Sequence, residues 1–398
     1  MTTLNKMTIF IRNVNLSISV SLTVLKLVGF WAPNDIKNNF NIIYYLYAIV
    51  TFMILLGIYL IIQVVDMFLI WGDLPLMTGT AFLLFTNLAQ AIKILNLVWK
   101  RQRVEEIIFN ANQLLRDQRT EEGKNIVKKC DRETTLQQLL YFCLTTITVA
   151  GWAGSAEKNK LPLRAWYPYD TSKSPAYEIT YVHQVGALFV AAYLNVGKDT
   201  LVTALIAQCR CRLKLVGLAL RNLNEELKAD DKHIFNAEQQ FVVRRRLNRC
   251  VVQHQSALEA TVQLQDCFSV PTFAQFTVSM VIICVTAFQL ASQTGNLVRV
   301  FSMGTYLLNM TFQVFLYCYQ GNQLSEESME IAGAAYESPW YTFSSSTRRS
   351  ILVLMSRSRR PARLKAGGFT TLSLASYMAI IKASYSFFTV LQQVDENK

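Results

Sequence analysis

The sequence predicts an all-α membrane protein with seven transmembrane helices, a cytoplasmic N-terminus and an extracellular C-terminus. Helices four, five and six–seven extend into a cytoplasmic anchor domain. Three observations predict this class. Charged residues make up 17% of the 398 residues, against roughly a quarter in soluble domains. Between the charge clusters lie seven apolar runs, each near the ~20 residues a helix needs to cross a bilayer core. Lys and Arg collect in alternate loops, as the positive-inside rule requires.

The runs are 38–65, 74–92, 134–156, 179–197 (its apolar pattern continuing to Cys209), 267–298, 300–325 and 366–394. In lipid every backbone polar group must be paired internally, and long apolar runs achieve this as helices. They lack the ten-residue alternation of barrel strands. Pro271 falls in the first turns of the fifth run, where it is tolerated or kinks the helix. The first 40 residues carry Lys6, Arg12 and Lys26 among apolar residues. They lack a signal-peptide core and cleavage site and read as a cytoplasmic amphipathic segment.

Basic residues set the orientation. The N-terminal segment and the second, fourth and sixth loops carry 4, 9, 10 and 7 Lys+Arg, whereas the opposite side carries six. The larger share belongs in the cytoplasm. This also accounts for the formal charge of +12 without a nucleic-acid partner, since no basic soluble face is built. All eight cysteines fall in spans or cytoplasmic segments, away from the outer loops where disulfides form. A seven-helix metabotropic receptor needs its N-terminus outside, against this tally. A secondary transporter would show internal repeats or matched broken helices, and neither is visible.

Two inner stretches carry helical periodicity. Leu213, Val216, Leu220 and Leu223 continue the fourth helix, and Leu247, Val251, Leu258 and Val262 precede the fifth. They predict an antiparallel pair below the membrane, with 328–355 as a third element. Either the pair joins subunits, or it packs within one chain. Arg244-Arg245-Arg246 reads as a solvated or lipid-facing surface. The outer loop 157–178 holds Trp166-Tyr167-Pro168-Tyr169 and Ser174-Pro175-Ala176-Tyr177. It either folds back as a lid or anchors at the headgroups, where Trp and Tyr concentrate. No enzyme constellation appears. The three histidines are far apart, Cys209-Arg210-Cys211 lacks zinc spacing and a second pair, and no phosphate loop precedes a helix. No cofactor or metal is expected.

The last ninety residues carry a recognisable pattern. Phe315-Leu316-Tyr317-Cys318, Gly321 and Leu324 lead to Ser328, Ala335-Tyr336 and Trp340. Pro361 and Ala366-Gly367-Gly368-Phe369 follow, then Leu372-Ser373-Leu374 and Ser384-Tyr385-Ser386-Phe387-Phe388-Thr389-Val390-Leu391. Together these resemble the insect odorant-receptor family, and the length and topology resemble it over the whole chain. Arg359-Arg360 departs from a pattern in which members often carry Gln.

The resemblance implies an odorant-gated, non-selective cation channel in the plasma membrane of a sensory neuron dendrite. A tuning subunit binds a small volatile odorant and assembles with a shared insect odorant co-receptor into a heterotetramer in membrane lipid. The chain lacks the co-receptor's long fourth-to-fifth insertion and resembles a tuning subunit. On this reading 1–398 is one odorant receptor domain. Residues 1–40 are the N-terminal segment, 41–209 carry helices one to four with the pocket, and 210–266 form the cytoplasmic anchor. Residues 267–325 are helices five and six, 326–365 the anchor part of helix seven, and 366–394 the pore-lining helix.

The odorant is expected between helices two, three, four and six in the outer half. Such a pocket is mostly apolar with a few orienting polar groups. Helix two offers Phe82, Phe85 and Thr86; helix three, Thr148 and Trp152; helix four, Tyr181, Val185 and Phe189; helix six, Met303, Tyr306 and Met310. The pore face is expected at Ser386, Thr389 and Gln393, spaced by three and four on one helix side, with Gln392 nearby and Val390 and Leu391 facing other helices. The same polar stripe could instead mark the membrane surface. Lys382 is expected to point sideways to a partner or into a wet vestibule, and Lys198 and Asp199 to have separate partners, since adjacent residues diverge by 100°.

Overall fold

The architecture is that of a computed structural model describing residues 15–31, 38–72, 74–116, 118, 120–154, 161, 163, 165–171, 173–225, 227, 235–292 and 297–396. Ten helices follow in chain order among the described residues. They are α1 (Leu16–Leu27), α2 (Asn38–Thr51 and Ile58–Leu69, joined through a π-helical turn over Phe52–Gly57), α3 (Leu74–Trp99), α4 (Arg101–Arg116) and α5 (Glu121–Gly154). After them come α6 (Ala176–Arg221), α7 (Ala237–Ser292), α8 (Leu297–Glu337), α9 (Ser345–Ser358) and α10 (Leu374–Glu396). Strands β1 (Lys365–Ala366) and β2 (Thr370–Thr371) pair antiparallel between α9 and α10. Three helices, Ala176–Arg221, Ala237–Ala291 and Leu374–Val394, are long and apolar enough to cross a membrane.

Helix α6 is the axis. Every residue from 194 to 213 is buried, under cover from α1, α3, α5, α7 and α8. Burial on all sides normally demands an apolar helix, yet this stretch holds Lys198, Asp199, Arg210 and Arg212. Neighbouring helices supply the compensation. Asp199 Oδ1 accepts from Lys93 Nζ on α3 at 2.7 Å and from Tyr317 OH on α8 at 2.8 Å. Its Oδ2 accepts from Gln313 on α8 and faces Tyr141 OH on α5 at 3.5 Å. Lys93 also donates to Asn195 Oδ1 at 3.0 Å, and Gln275 on α7 extends the network to Gln313 at 2.9 Å. Lys198 turns elsewhere and donates to the Gln90 carbonyl at 3.3 Å. Farther along α6, fully buried Arg210 makes a two-pronged pair with Glu133 on α5, at 3.0 and 3.3 Å. Burial pushes the Glu133 carboxyl up, but the Arg210 guanidinium prevails and holds it below its usual range.

The polar network lies where two apolar cores meet. The inner core gathers Leu201, Leu205, Leu213 and Leu220 of α6 with Val243 and Leu247 of α7 and Val314, Leu324 and Ile331 of α8. The outer core holds Trp152, Ala187, Ile282, Met303, Tyr306 and Met310. The inner core continues along the far ends of α6 and α7, through Leu220, Leu223, Val243 and Leu247, as the expected antiparallel pair.

Three sequence expectations are changed. The N-terminal segment is not merely a surface element, because α1 inserts beside α6 with Ile18, Leu22 and Leu25 at 1% exposure or less. It also takes its N-terminal cap from another helix. The Asp131 carboxylate on α5 accepts from Leu16 N, Ser17 N and Ser17 Oγ at 3.0, 3.2 and 2.7 Å, pairing orphan donors and favouring the helix dipole. Helix seven begins at Leu374 rather than 366. Gly367 and Gly368 hold φ of +61° and +79°, conformations that end a helix and favour glycine, so 365–371 fold as a hairpin. The element expected over 328–355 is split at Ser338–Pro339 between α8 and α9. Pro271, in the first turns of the fifth apolar run, lies inside the continuous helix α7. The carbonyl that its missing N–H abandons, that of Cys267, accepts from Asn96 Nδ2 on α3 at 3.0 Å, the kind of repair a buried helix requires.

Removing one partner of a buried ion pair typically costs about 3–5 kcal/mol. Lys93→Met is therefore expected to lower the unfolding midpoint of the detergent-purified chain sharply. The exposed Lys173→Met, whose partner Asp170 is also exposed, is expected to leave it within experimental error.

Candidate functional site

The outer core is assembled from five helices and a loop. Helix α5 contributes Trp152 and α8 contributes Met303, Tyr306 and Met310, spaced three and four apart on one face. Gly151 lets α5 and α8 approach closely, since a Cβ there would meet Ser302 Oγ at 2.6 Å. Helix α7 adds Ile282 and Ile283, α2 adds Tyr59, and Phe85 of α3 packs at the edge. Thr86 Oγ1 and Tyr306 OH share a 2.6 Å hydrogen bond, a polar pair at an otherwise apolar site. The cluster is closed, with Trp152, Met303 and Met310 at 3% exposure or less.

The sequence-predicted ligand residues divide accordingly. Phe85, Thr86, Trp152, Met303, Tyr306 and Met310 come together. Thr148 is buried one turn from Trp152, with its hydroxyl spent on the Leu144 carbonyl at 2.8 Å. The Phe82 side chain lies outside the described residues. The choices on helix four need correction. Phe189 is 46% exposed and stacks on Tyr193 at 4.9 Å, on the same outward stripe as Ile179 and Val182. Val185 is half-buried, and Tyr181 donates to the Ala153 carbonyl at 2.8 Å, bracing α6 against the end of α5. The inward face of α6 is Thr180, Gln184, Ala187 and Ala191. Picking aromatics missed it, because close helix packing selects small side chains there.

The outer loop folds inward at Leu163, which is 3% exposed and belongs to the cluster. Gln184 holds it: Oε1 accepts from Leu163 N at 3.3 Å, while Nε2 donates to Leu163 O and Tyr167 OH, each at 3.1 Å. Tyr169 OH and Thr180 Oγ1 add a contact at 2.8 Å. The part of the loop that carries Leu163 packs on the cluster. The signals were a lone Gln in an apolar run and a Leu between a proline and a basic residue.

Helix α10 is packed on one side only. Ser384 donates to the Met280 carbonyl on α7 at 3.1 Å, and Ile381 reaches the outer core. Across the helix Ser386 and Gln393 are exposed, and Thr389 and Gln392 are half-buried. Ser386 and Thr389 donate back to Lys382 O and Ser386 O. One expectation changes: Val390 is 55% exposed and shares this open side instead of facing other helices, while Leu391 is half-buried. Lys382 is exposed, one turn from Ser386, and makes no ion pair among the described residues.

Residues 73–385 match the 7tm Odorant receptor family. This chain belongs to the insect odorant receptor family. Odorant receptor Or1 of Anopheles gambiae is 24% identical over 397 residues, covering 94% of this chain and 95% of its own. Odorant receptor 46a, isoform A, of Drosophila melanogaster is 23% identical, covering 93% and 96%. The insect olfactory receptor OR5 from Machilis hrabei, solved in complex with eugenol, superposes with a TM-score of 0.81 at 18% identity, covering 95% of this chain and 97% of its own. A second structure of OR5 gives 0.77. At that identity the likeness shows the fold. The odorant receptor is thus a membrane-embedded, ligand-binding chemoreceptor, and it is not an enzyme.

Gln184→Ala removes the three hydrogen bonds that pin the loop, each worth about 0.5–1.5 kcal/mol. Faster limited proteolysis after Trp166 and Tyr169, with little change in the unfolding midpoint of the bundle, is the expected outcome.

Proposed function

We propose that this odorant receptor is the tuning subunit of an odorant-gated, non-selective cation channel. It has a cytoplasmic N-terminus, an extracellular C-terminus, and a pore built with co-receptor subunits in the plasma membrane of a sensory dendrite. The observation that carries the reading is α10, a spanning-length helix that leaves Ser386, Val390 and Gln393 exposed on one side, with Thr389 and Gln392 half-buried beside them. Neutral Ser, Thr and Gln groups suit partly hydrated cations, which they do not bind tightly. Residues 210–266 and 326–365 serve as the anchor between subunits.

The ligand site is the outer core, lined by Phe85, Thr86, Trp152, Met303, Tyr306 and Met310, with Thr148, Tyr181 and Val185 at its margin. Aromatic and thioether side chains suit a small, largely apolar volatile, and the Thr86–Tyr306 pair offers it one orienting hydrogen bond. Because the cluster is closed, entry of a ligand displaces side chains. Flexible Met303 and Met310 are the cheapest to move. Ile381 packs against this cluster from α10, so expansion of the site bears directly on the pore helix.

Whole-cell current with the chain alone, the co-receptor alone and both together tests the assembly. Odorant-evoked cation current that needs both, and persists when G-protein signalling is blocked, is expected. An N-terminal tag reached by antibody without permeabilisation would sink the topology. Trp152→Ala and Tyr306→Ala are each expected to raise the half-maximal odorant concentration at least tenfold, about 1.4 kcal/mol, and unchanged dose–response curves in both would remove the site. Ile381→Ala is expected to lower maximal current with a smaller shift in half-maximal concentration. Thr389→Ala and Gln393→Ala are expected to alter cation permeability ratios, and wild-type permeation in both would count against the pore face.

A further inference from the structure

Helices α5 and α6 each bring one cysteine to a shared buried site, apart from both the ligand cluster and the Asp199 network. Cys130 of α5 and Cys211 of α6 are 5% and 2% exposed and form a cluster of their own, walled by Ile126, Val127 and Leu215. Both are free thiols, and they lie close enough to hydrogen-bond with each other. The charged groups around Cys130 are Arg210 and Lys214 on α6 and Glu133 on α5. Arg210 keeps its two-pronged pair with Glu133, and Lys214 pairs with Glu327 on α8 at 2.9 Å.

The two thiols are not equivalent. The hydrogen bond from Cys211, helped by the Arg210 and Lys214 charges, holds the Cys130 thiol below its usual range against the opposing effect of burial. That same hydrogen bond and burial push the Cys211 thiol well above its own. A thiolate beside an intact thiol is the arrangement that reacts with oxidants. The thiolate is the nucleophile, and the second cysteine is at hand to resolve the product. Access is by a narrow cleft of about 230 Å3, counting its open mouth, which Asn15, Asp131 and Gln208 line together with the two cysteines. Within its walls there is room for about one water molecule, so an attacking reagent must be small.

We propose that Cys130 and Cys211 are a peroxide-sensitive dithiol that closes to a disulfide between α5 and α6. The Cys130 thiolate attacks one oxygen of hydrogen peroxide and the O–O bond breaks. Cys130 becomes a sulfenic acid, and the hydroxide that leaves is protonated to water. The Cys211 sulfur then bonds to the Cys130 sulfur and displaces its hydroxyl, which departs as a second water with the Cys211 proton. Two thiols are thus oxidised by two electrons in all, and one peroxide is reduced to two waters. On the proposed topology the pair faces the cytoplasm, where thiols are kept reduced, so the bond forms on exposure to oxidant and not during folding. It would fasten α5, which carries Trp152 at the ligand cluster, to the axial helix.

The chemistry is read on the full chain purified in reduced form in a neutral detergent, so a failed channel assay does not affect its outcome. After treatment with hydrogen peroxide, remaining thiols are alkylated and chymotryptic peptides are analysed by mass spectrometry. A peptide pair linked through Cys130 and Cys211, and released by dithiothreitol, is expected from the wild-type chain and from Cys209→Ser. Cys130→Ser is expected to abolish it. Cys211→Ser is expected to abolish it as well, and to leave Cys130 as a sulfenic acid that dimedone traps. Absence of the linked pair from the peroxide-treated wild-type chain, or linkage of Cys130 to another cysteine in its place, would overturn the dithiol. So would a Cys211→Ser chain whose Cys130 takes up no dimedone.

Discussion

One buried carboxylate organises the bundle. Asp199 sits on a helix covered from every side, at a depth where an unpaired charge is not tolerated. Its donors come from Lys93 on α3 and from Gln313 and Tyr317 on α8, with Tyr141 of α5 alongside. Satisfying this single side chain sets how three helices are rotated and how far each slides along α6. Buried ion pairs seldom add net stability over an apolar core. What this one supplies is register: a turn's slip of α3 or α8 would strand the charge.

The outer core inherits that register. With Gln313 held to Asp199, the next turns of α8 toward the outer end carry Met310, Tyr306 and Met303 to the face opposite Trp152. With Lys93 held, α3 presents Thr86 to Tyr306 two turns away. The same seam separates the outer core from the inner one, so that rearrangement above need not disturb the packing below. Helix α10 stands apart from this economy. It joins the protomer chiefly through α7, with a smaller contact on α8 and Ile381 touching the outer core. On the proposed reading, a closed ligand cluster abutting the pore helix is the physical basis on which binding would be converted into opening.

Much of this was legible in the chain. Apolar length and the asymmetry of Lys and Arg marked the seven long helices, and the spacing of Leu213, Val216 and Leu220 revealed the inner extension of the fourth. Trp152, Met303, Tyr306 and Met310 could be chosen because large side chains at helical spacing fall on one face. The same logic failed on α6. There Phe189 and Tyr181 were the conspicuous residues, yet the axis helix turns its small side chains, Ala187 and Ala191, toward its neighbours, while Phe189 points outward and Tyr181 braces the end of α5. Lys198 and Asp199 read as a puzzle because their partners lie more than a hundred residues away on α3 and α8.

The sequence by itself determined the all-helical membrane class, the position of the long apolar helices and the family, because these follow from composition, local periodicity and short motifs. Only the tertiary structure decided which face of each helix is inside, that α1 is part of the bundle, that Gly367-Gly368 delay the last helix, and which donors meet Asp199. Those outcomes depend on contacts between distant segments. The free energy of burying a charge or a ring is set by whatever arrives opposite it, and local pattern carries no record of that.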